Sequence, residues 1–198
     1  MLLNNIYPIF DTILNQADKE TLLKQKGRVI WMVGLSGSGK STLARAAENS
    51  LHQQGKVTML LDGDNLRTGV NNNLGFSQED RQENIRRAAE VAKLFSQCGI
   101  VTICSLISPT ESIRQMAKGI IGESYFEVFV HCPLEVCEER DVKGLYAKAR
   151  RGEIRDFTGI SSPFEEPQKP DLKVSTHQQS IEESHQLLVN KILEITSY

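Results

Sequence analysis

Eight consecutive residues, Gly34-Leu35-Ser36-Gly37-Ser38-Gly39-Lys40-Ser41, carry the pattern G-x-x-x-x-G-K-[ST] between an apolar run at 29–33 and a helix-prone run that begins at Thr42. The chemistry this spacing serves is the cradling of phosphates. Gly34, Gly37 and Gly39 let successive backbone N–H groups, those of Ser38 and Thr42 among them, turn toward one anion at the start of a helix. Lys40 then reaches the β- and γ-phosphates, and the Ser41 hydroxyl is placed to ligate Mg²⁺. An ordinary glycine-rich turn would need neither the strand before it nor the helix after it.

A second chemical cluster, Asp62-Gly63-Asp64-Asn65-Leu66-Arg67, follows the apolar run at 57–61. It places two carboxylates and a guanidinium at a strand's carboxyl end, where one carboxylate can hold Mg²⁺ through water or take a proton from an attacking hydroxyl. Arg67 suits an anionic acceptor; the plainer alternative is an Asp-Gly turn with a surface arginine. Arg81 and Asn84, three residues apart, share one helix face that looks toward the same cleft, while Ile85 and Ala88 anchor the helix. Six cations, Arg140, Lys143, Lys148, Arg150, Arg151 and Arg155, fall within sixteen residues and are enough to close over polyphosphate, although a solvated surface accounts for most of them equally well.

The elements that must hold these groups alternate. Apolar runs at 29–33, 57–61, 100–106 and 128–130 read as buried strands, too continuous for a sheet with one wet face. Between them, Ser77-Gln78-Glu79-Asp80 resembles a capping box that opens a helix to about residue 97. Pro109 starts another over 110–120, and Pro133 precedes a third. A last amphipathic helix spans 180–195. The alternation predicts an α/β fold with a mostly parallel sheet covered on both faces and ligands gathered at the strands' carboxyl ends. Residues 141–170 break the rhythm. Charged, and carrying Gly144, Gly152, Gly159, Pro163, Pro167 and Pro170, they read as a lid without an obvious apolar face.

Length and charge set the outer limits. The 198 residues fit one domain, and 23 Lys plus Arg against 25 Asp plus Glu leave a formal net charge of -2, so no global basic field points to nucleic acid or to a membrane. Residues 1–20 contain three acidic residues and no arginine, unlike a secretory or transit segment, and no apolar run nears a membrane span. Cys98, Cys104, Cys132 and Cys137 lack C-x-x-C spacing, which predicts reduced, mostly buried thiols and a cytoplasmic protein.

Together these residues resemble the adenylylsulfate kinase family. G-L-S-G-S-G-K-S-T, L-L-D-G-D-N-L-R, L-G-F-S-Q-E-D-R-Q-E-N-I-R-R, I-S-P, K-G-L-Y-A-K-A-R-R-G-E-I and F-T-G-I follow the family's order over residues 27–171. The resemblance implies a three-layer fold of the P-loop nucleoside triphosphate hydrolase type with a mobile lid. Residues 1–26 would be an N-terminal extension and 27–198 the kinase domain. It implies transfer of the γ-phosphate of ATP, with Mg²⁺, to the 3′-hydroxyl of adenosine 5′-phosphosulfate. The 37–42 segment and Arg140 would bind ATP. Asp64, Arg67, Phe76, Arg81, Asn84, Ile107, Ser108, Lys143, Phe157 and Thr158 would form the acceptor site, with Phe76 and Phe157 sandwiching the adenine. Lys40, Asp62 and Ser108 are the catalytic candidates, and Ser41 and Asp62 the metal contacts. The family is described with a phosphoserine at the position of Ser108, yet the chemistry favours direct in-line transfer. A homodimer, and ATP sulfurylase as a partner, are further implications.

The chain also departs from the family. Thr110-Glu111 stands where the family carries an aromatic or histidine followed by arginine, Val142 replaces a lid proline, and His131 replaces an aspartate. Two other classes stay open at this level: a regulatory, nucleotide-sensing relative, which a damaged phosphate loop would mark, and a kinase for a sugar acid or shikimate, which would not need the paired phenylalanines.

Overall fold

Continuous apolar runs become inner strands because both of their faces are covered. The computed structural model describes residues 5–198. Five parallel strands, β1 (Arg28–Val33), β2 (Thr58–Asp62), β3 (Val101–Ser105), β4 (Tyr125–His131) and β5 (Leu172–Ser175), lie in the order β2-β3-β1-β4-β5. Alternation along β1 divides the core. Ile30 and Met32 pack with Ile103, Val128 and Val130 under Leu43 and Leu51 of α2 (Lys40–Gln53) and Leu188 and Ile192 of α8 (Ile181–Ile195). Val29, Trp31 and Val33 turn the other way, against Ile85, Ala88 and Ala92 of α4 (Gln78–Gln97) and Ile113 and Ala117 of α5 (Glu111–Ile121). The alanine face of α4 lets that helix lie close to the sheet.

The register decides where the site forms. Met32 on β1 aligns with Ser105 on β3, and Ser105 with Asp62 on β2, so the loops after three neighbouring strands emerge side by side. The residues predicted at carboxyl ends therefore converge there.

The predicted elements form with modest shifts. The strand expected at 128–130 is longer, starting at Tyr125. Ser77 caps α4 by accepting from the Asp80 N–H, but Asp80 turns its carboxylate to the Gly75 N–H, so only half of a capping box exists; full reciprocal boxes form at Ser180 and Glu183 and at Asn15 and Asp18. The helix that Pro133 introduces forms as α6 (Leu134–Arg140), while pattern reading left out β5 and three short helices: α1 (Gln16–Leu23), α3 (Gly63–Thr68) and α7 (Leu145–Arg150). α7 lies inside the supposedly faceless lid and buries Tyr146 and Ala149, an apolar side too short to show a period. Cys104, Cys132 and Cys137 are buried free thiols, and Cys98 is an exposed one. Among the described residues no helix is long and apolar enough to cross a membrane.

The N-terminal segment is tied to the sheet by one side chain. Gln25, fully buried, donates from Nε2 to the Val57 and Gly99 carbonyls at 2.9 and 2.8 Å and accepts from the Val57 N–H at 2.8 Å. Gln25→Ala strands the Val57 N–H and the Gly99 carbonyl, while the Val57 carbonyl keeps its bond from the Val101 N–H, and we expect a loss of about 2–3 kcal/mol in stability with turnover preserved at room temperature. Denaturant titration beside an activity assay checks this; an unchanged midpoint would refute it.

Candidate active site

Close approach shapes the phosphate loop. A Cβ on Gly34 would sit 2.5 Å from the Val130 carbonyl, and Gly39, the N-cap of α2, stands at φ 100°. Lys40 turns its ammonium back on the loop itself, donating to the Gly34 carbonyl at 2.8 Å and the Leu35 carbonyl at 2.6 Å. Burial pushes this ammonium down to about 8. At the loop's edge Arg140, ending α6, donates to the Thr176 carbonyl at 2.8 Å and, more weakly, to that of Gly37, while Thr176 donates to the Ser38 carbonyl.

Ser41 and Asp62 meet as expected from their strand ends. The Ser41 hydroxyl donates to Asp62 Oδ2 at 2.7 Å and lies 3.2 Å from the Ser105 hydroxyl, while Asp62 Oδ1 caps α3 through the Asp64 N–H. A hydroxyl and a carboxylate are hard oxygen donors that suit Mg²⁺ with water and phosphate completing the shell. Asp64 does not join them; it pairs with Lys143 across the cleft.

The residues expected at the acceptor site come from three distant segments, two of which Arg81 joins. This guanidinium donates to the Phe76 carbonyl at 2.9 Å, to Asp156 O at 2.7 Å and to Thr158 Oγ1 at 3.2 Å. Phe76 is 61% exposed, with the Arg67 guanidinium 4.4 Å from its ring centroid. Arg67 also holds the Leu74 and Gly75 carbonyls, bracing the turn that presents Phe76. Phe157 differs: only 8% exposed, it meets Tyr146 edge-to-face at 5.0 Å. Asn84 is buried, its Oδ1 accepting from Asn71 Nδ2 at 2.9 Å. Ile107 is half-buried on the turn after β3, and Ser108 beside it is 1% exposed in a left-handed conformation at φ 47°, its hydroxyl accepting from the Trp31 indole N–H at 3.0 Å.

The lid cations are mostly spoken for by protein groups. Arg150 pairs with Glu138, Arg151 with Glu153 and Lys143 with Asp64, so only part of the expected positive surface is free for a ligand. The turn at Asp141-Val142-Lys143-Gly144 closes without proline: the Gly144 N–H donates to the Asp141 carbonyl, and the Asp141 carboxylate takes the N–H groups of Tyr146 and Ala147, which hold it below the usual range. Glu111, an anion where the family has a cation, turns to Arg114 and Gln115. A cavity of about 460 Å³ between Leu35, residues 132–134, residues 159–164 and Glu166 touches the site only through Leu35 of the phosphate loop. Sequence reasoning missed Tyr146, whose hydroxyl donates to the Ser36 carbonyl of the phosphate loop at 2.8 Å, and Trp31. A lone aromatic in a charged lid was the available signal for the first; nothing separated the second from the core.

Comparison with known proteins shows the family to which the chain belongs. The model of the family described as adenylylsulphate kinase matches residues 26–175. The adenylyl-sulfate kinase of Bacteroides fragilis is 61% identical over 193 residues, 97% of this chain and 94% of its own. That of Phocaeicola vulgatus is 59% identical over 192 residues, 96% and 94% of the two chains. Among solved structures, the Mycobacterium tuberculosis APS kinase in complex with AMPPNP and APS is similar at a TM-score of 0.81 and 48% identity, covering 85% of this chain and 98% of that one.

The resting state of Lys40 yields a pH signature. An unfolded lysine titrates near 10.5, so between about pH 8 and 10.5 the unfolded chain holds a proton that the folded one has released, and stability rises with pH across that window. Below pH 8 the full cost of the buried charge is present, about 3 kcal/mol, less what the two carbonyl bonds return. We expect Lys40→Met to abolish turnover yet melt higher than the parent at pH 7, the difference shrinking toward pH 10.5. Thermal melts across that range decide it, and a lower melting point at pH 7 would count against the account.

Proposed function

Because the chain belongs to the adenylylsulfate kinase family, we infer that it transfers the γ-phosphate of ATP to the 3′-hydroxyl of adenosine 5′-phosphosulfate, giving 3′-phosphoadenylylsulfate and ADP. The observation that supports this most is the Arg81 junction, where one guanidinium gathers Phe76, Asp156 and Thr158 on the far side of the cleft from an intact phosphate loop.

Phosphoryl transfer asks for position and charge neutralisation. Backbone N–H groups of residues 34–42, with Arg140 at their edge, hold the ATP phosphates, and Lys40 exchanges its Gly34 and Leu35 carbonyl partners for β- and γ-oxygens. Ser41 and Asp62 are the donors that would hold Mg²⁺, which supplies neutralising charge at the phosphates when bound. Asp62, already an acceptor for a hydroxyl proton at 2.7 Å, is the group to receive the proton of the acceptor's 3′-hydroxyl. Phe76 and Phe157 take the two faces of the adenine, while Arg67 and Arg81 face the phosphosulfate. Lys143 and Asp64 exchange their mutual pairing for substrate, and Asn84, Ile107, Thr158 and the Ser108 backbone complete the wall. Burial of Ser108 and its bond from Trp31 support direct in-line transfer over a covalent relay.

The proposal extends to a lid that moves. Opening it must break the Arg81 bonds to Asp156 and Thr158, the Lys143 pair with Asp64 and the Tyr146 bond to Ser36. It extends also to a cytoplasmic homodimer that partners ATP sulfurylase, with residues 1–26 as an extension of the kinase domain; the family resemblance supports these.

A coupled assay with ATP, Mg²⁺ and adenylylsulfate, beside shikimate and gluconate as rival acceptors, tests the activity. Phe76→Ala should weaken acceptor affinity by about one to two powers of ten while melting temperature and ATP affinity hold, because the ring is exposed and stacks only on arginine. Phe157→Ala should weaken the acceptor similarly and also destabilise by about 3 kcal/mol, because that ring is packed. Normal acceptor affinity in Phe76→Ala would remove the sandwich.

A further inference from the structure

Arg114, on α5, is 1% exposed and reaches neither the phosphate loop nor the acceptor face. Its Nη1 donates to the Ser108 carbonyl at 3.1 Å and to the Glu165 carbonyl at 2.8 Å, and its Nη2 donates to Glu111 Oε2 at 2.6 Å. Glu165 is held twice more: its N–H donates to the Pro109 carbonyl at 2.8 Å, and its carboxylate accepts from the Glu111 N–H at 2.7 Å. The turn after β3 and the distal foot of the lid are therefore sewn together around one guanidinium. Burying that charge is costly, and Glu111, its hydrogen-bonded counter-ion, is half exposed. The planar fork reaches two carbonyls and a carboxylate at once, which a compact ammonium on a flexible stem does poorly. One of those carbonyls belongs to Ser108, a non-glycine residue in the left-handed region that persists only where its surroundings hold it.

We propose that Arg114 is a positioning residue for the acceptor: through the Ser108 and Glu165 carbonyls it locks the Ile107-Ser108 turn to the foot of the lid, so that the lid's position and the shape of the acceptor wall are set together. This rests on the acceptor site proposed above. It accounts for the burial of a charge that phosphate binding does not use, and for the inward turn of Glu111.

Steady-state kinetics with ATP and adenylylsulfate varied separately test it on Arg114→Met, Arg114→Lys, the pair Arg114→Met with Glu111→Gln, and Arg86→Met as a control that removes a surface ion pair. Arg114→Met should raise KM for adenylylsulfate tenfold or more and leave KM for ATP within twofold. Amides at 107–112 and 160–166 should exchange faster, and the control should match the parent. The pair should stay impaired, because restoring charge balance does not restore the two carbonyl bonds. A return of the pair to parental KM, or an equal rise in both KM values, overturns the proposal. Should Arg114→Met fail to fold, Arg114→Lys must show the same split at smaller size, and parental kinetics there overturn it. If the parent chain does not phosphorylate adenylylsulfate, the proposed function fails on its own; the clasp is then decided by exchange alone, and unaltered exchange in both segments overturns it.

Discussion

Lys40 is held as a buried cation, and much of the site is arranged around that charge. Two carbonyls of its own loop hold the ammonium while burial presses it toward neutrality. The arrangement is stable enough to fold and poor enough to give way to a polyphosphate. Glycine is what brings the carbonyls within reach, since any side chain at residue 34 would collide with β4. The loop's conformation, its resting charge and the packing of β4 against β1 are thus one constraint.

The acceptor side is built on a different principle. Its residues are joined by guanidinium groups that bond to backbone carbonyls: Arg67 to Leu74 and Gly75, Arg81 to Phe76 and Asp156, Arg114 to Ser108 and Glu165. Carbonyl partners leave much of the positive charge of Arg67 and Arg81 unneutralised, whereas Arg114 is also paired with the Glu111 carboxylate. Arginine so placed fixes a chain segment and still offers its field to an anion, which a salt-bridged arginine such as Arg150 does not.

Legibility in the sequence followed the range of the signal. The phosphate loop, the carboxylates after β2 and the long helices were readable because motif, strand and helix are contiguous, and Asp62 met Ser41 because parallel register aligns strand ends. The Arg81 contacts to Asp156 and Thr158 span a distance no local pattern carries; family resemblance alone had grouped Arg81 with Thr158, and Asp156 was not foreseen. β5 escaped because four residues at a sheet edge give too short a run, and α7 because one turn and a half shows no period. The lid's basic stretch could be read as ligand surface or as a solvated face; geometry assigns half of those cations to neighbouring carboxylates. Residue type announces a charge but not its partner.

The chain has one tryptophan, and its indole N–H ends on the hydroxyl of Ser108. Indole emission responds to the strength of that bond and to nearby charge, and Trp31 sits in the core, screened from solvent. The protein therefore carries an internal optical probe behind the Ile107-Ser108 turn. Events at that turn become visible in the native chain's own light, without a label.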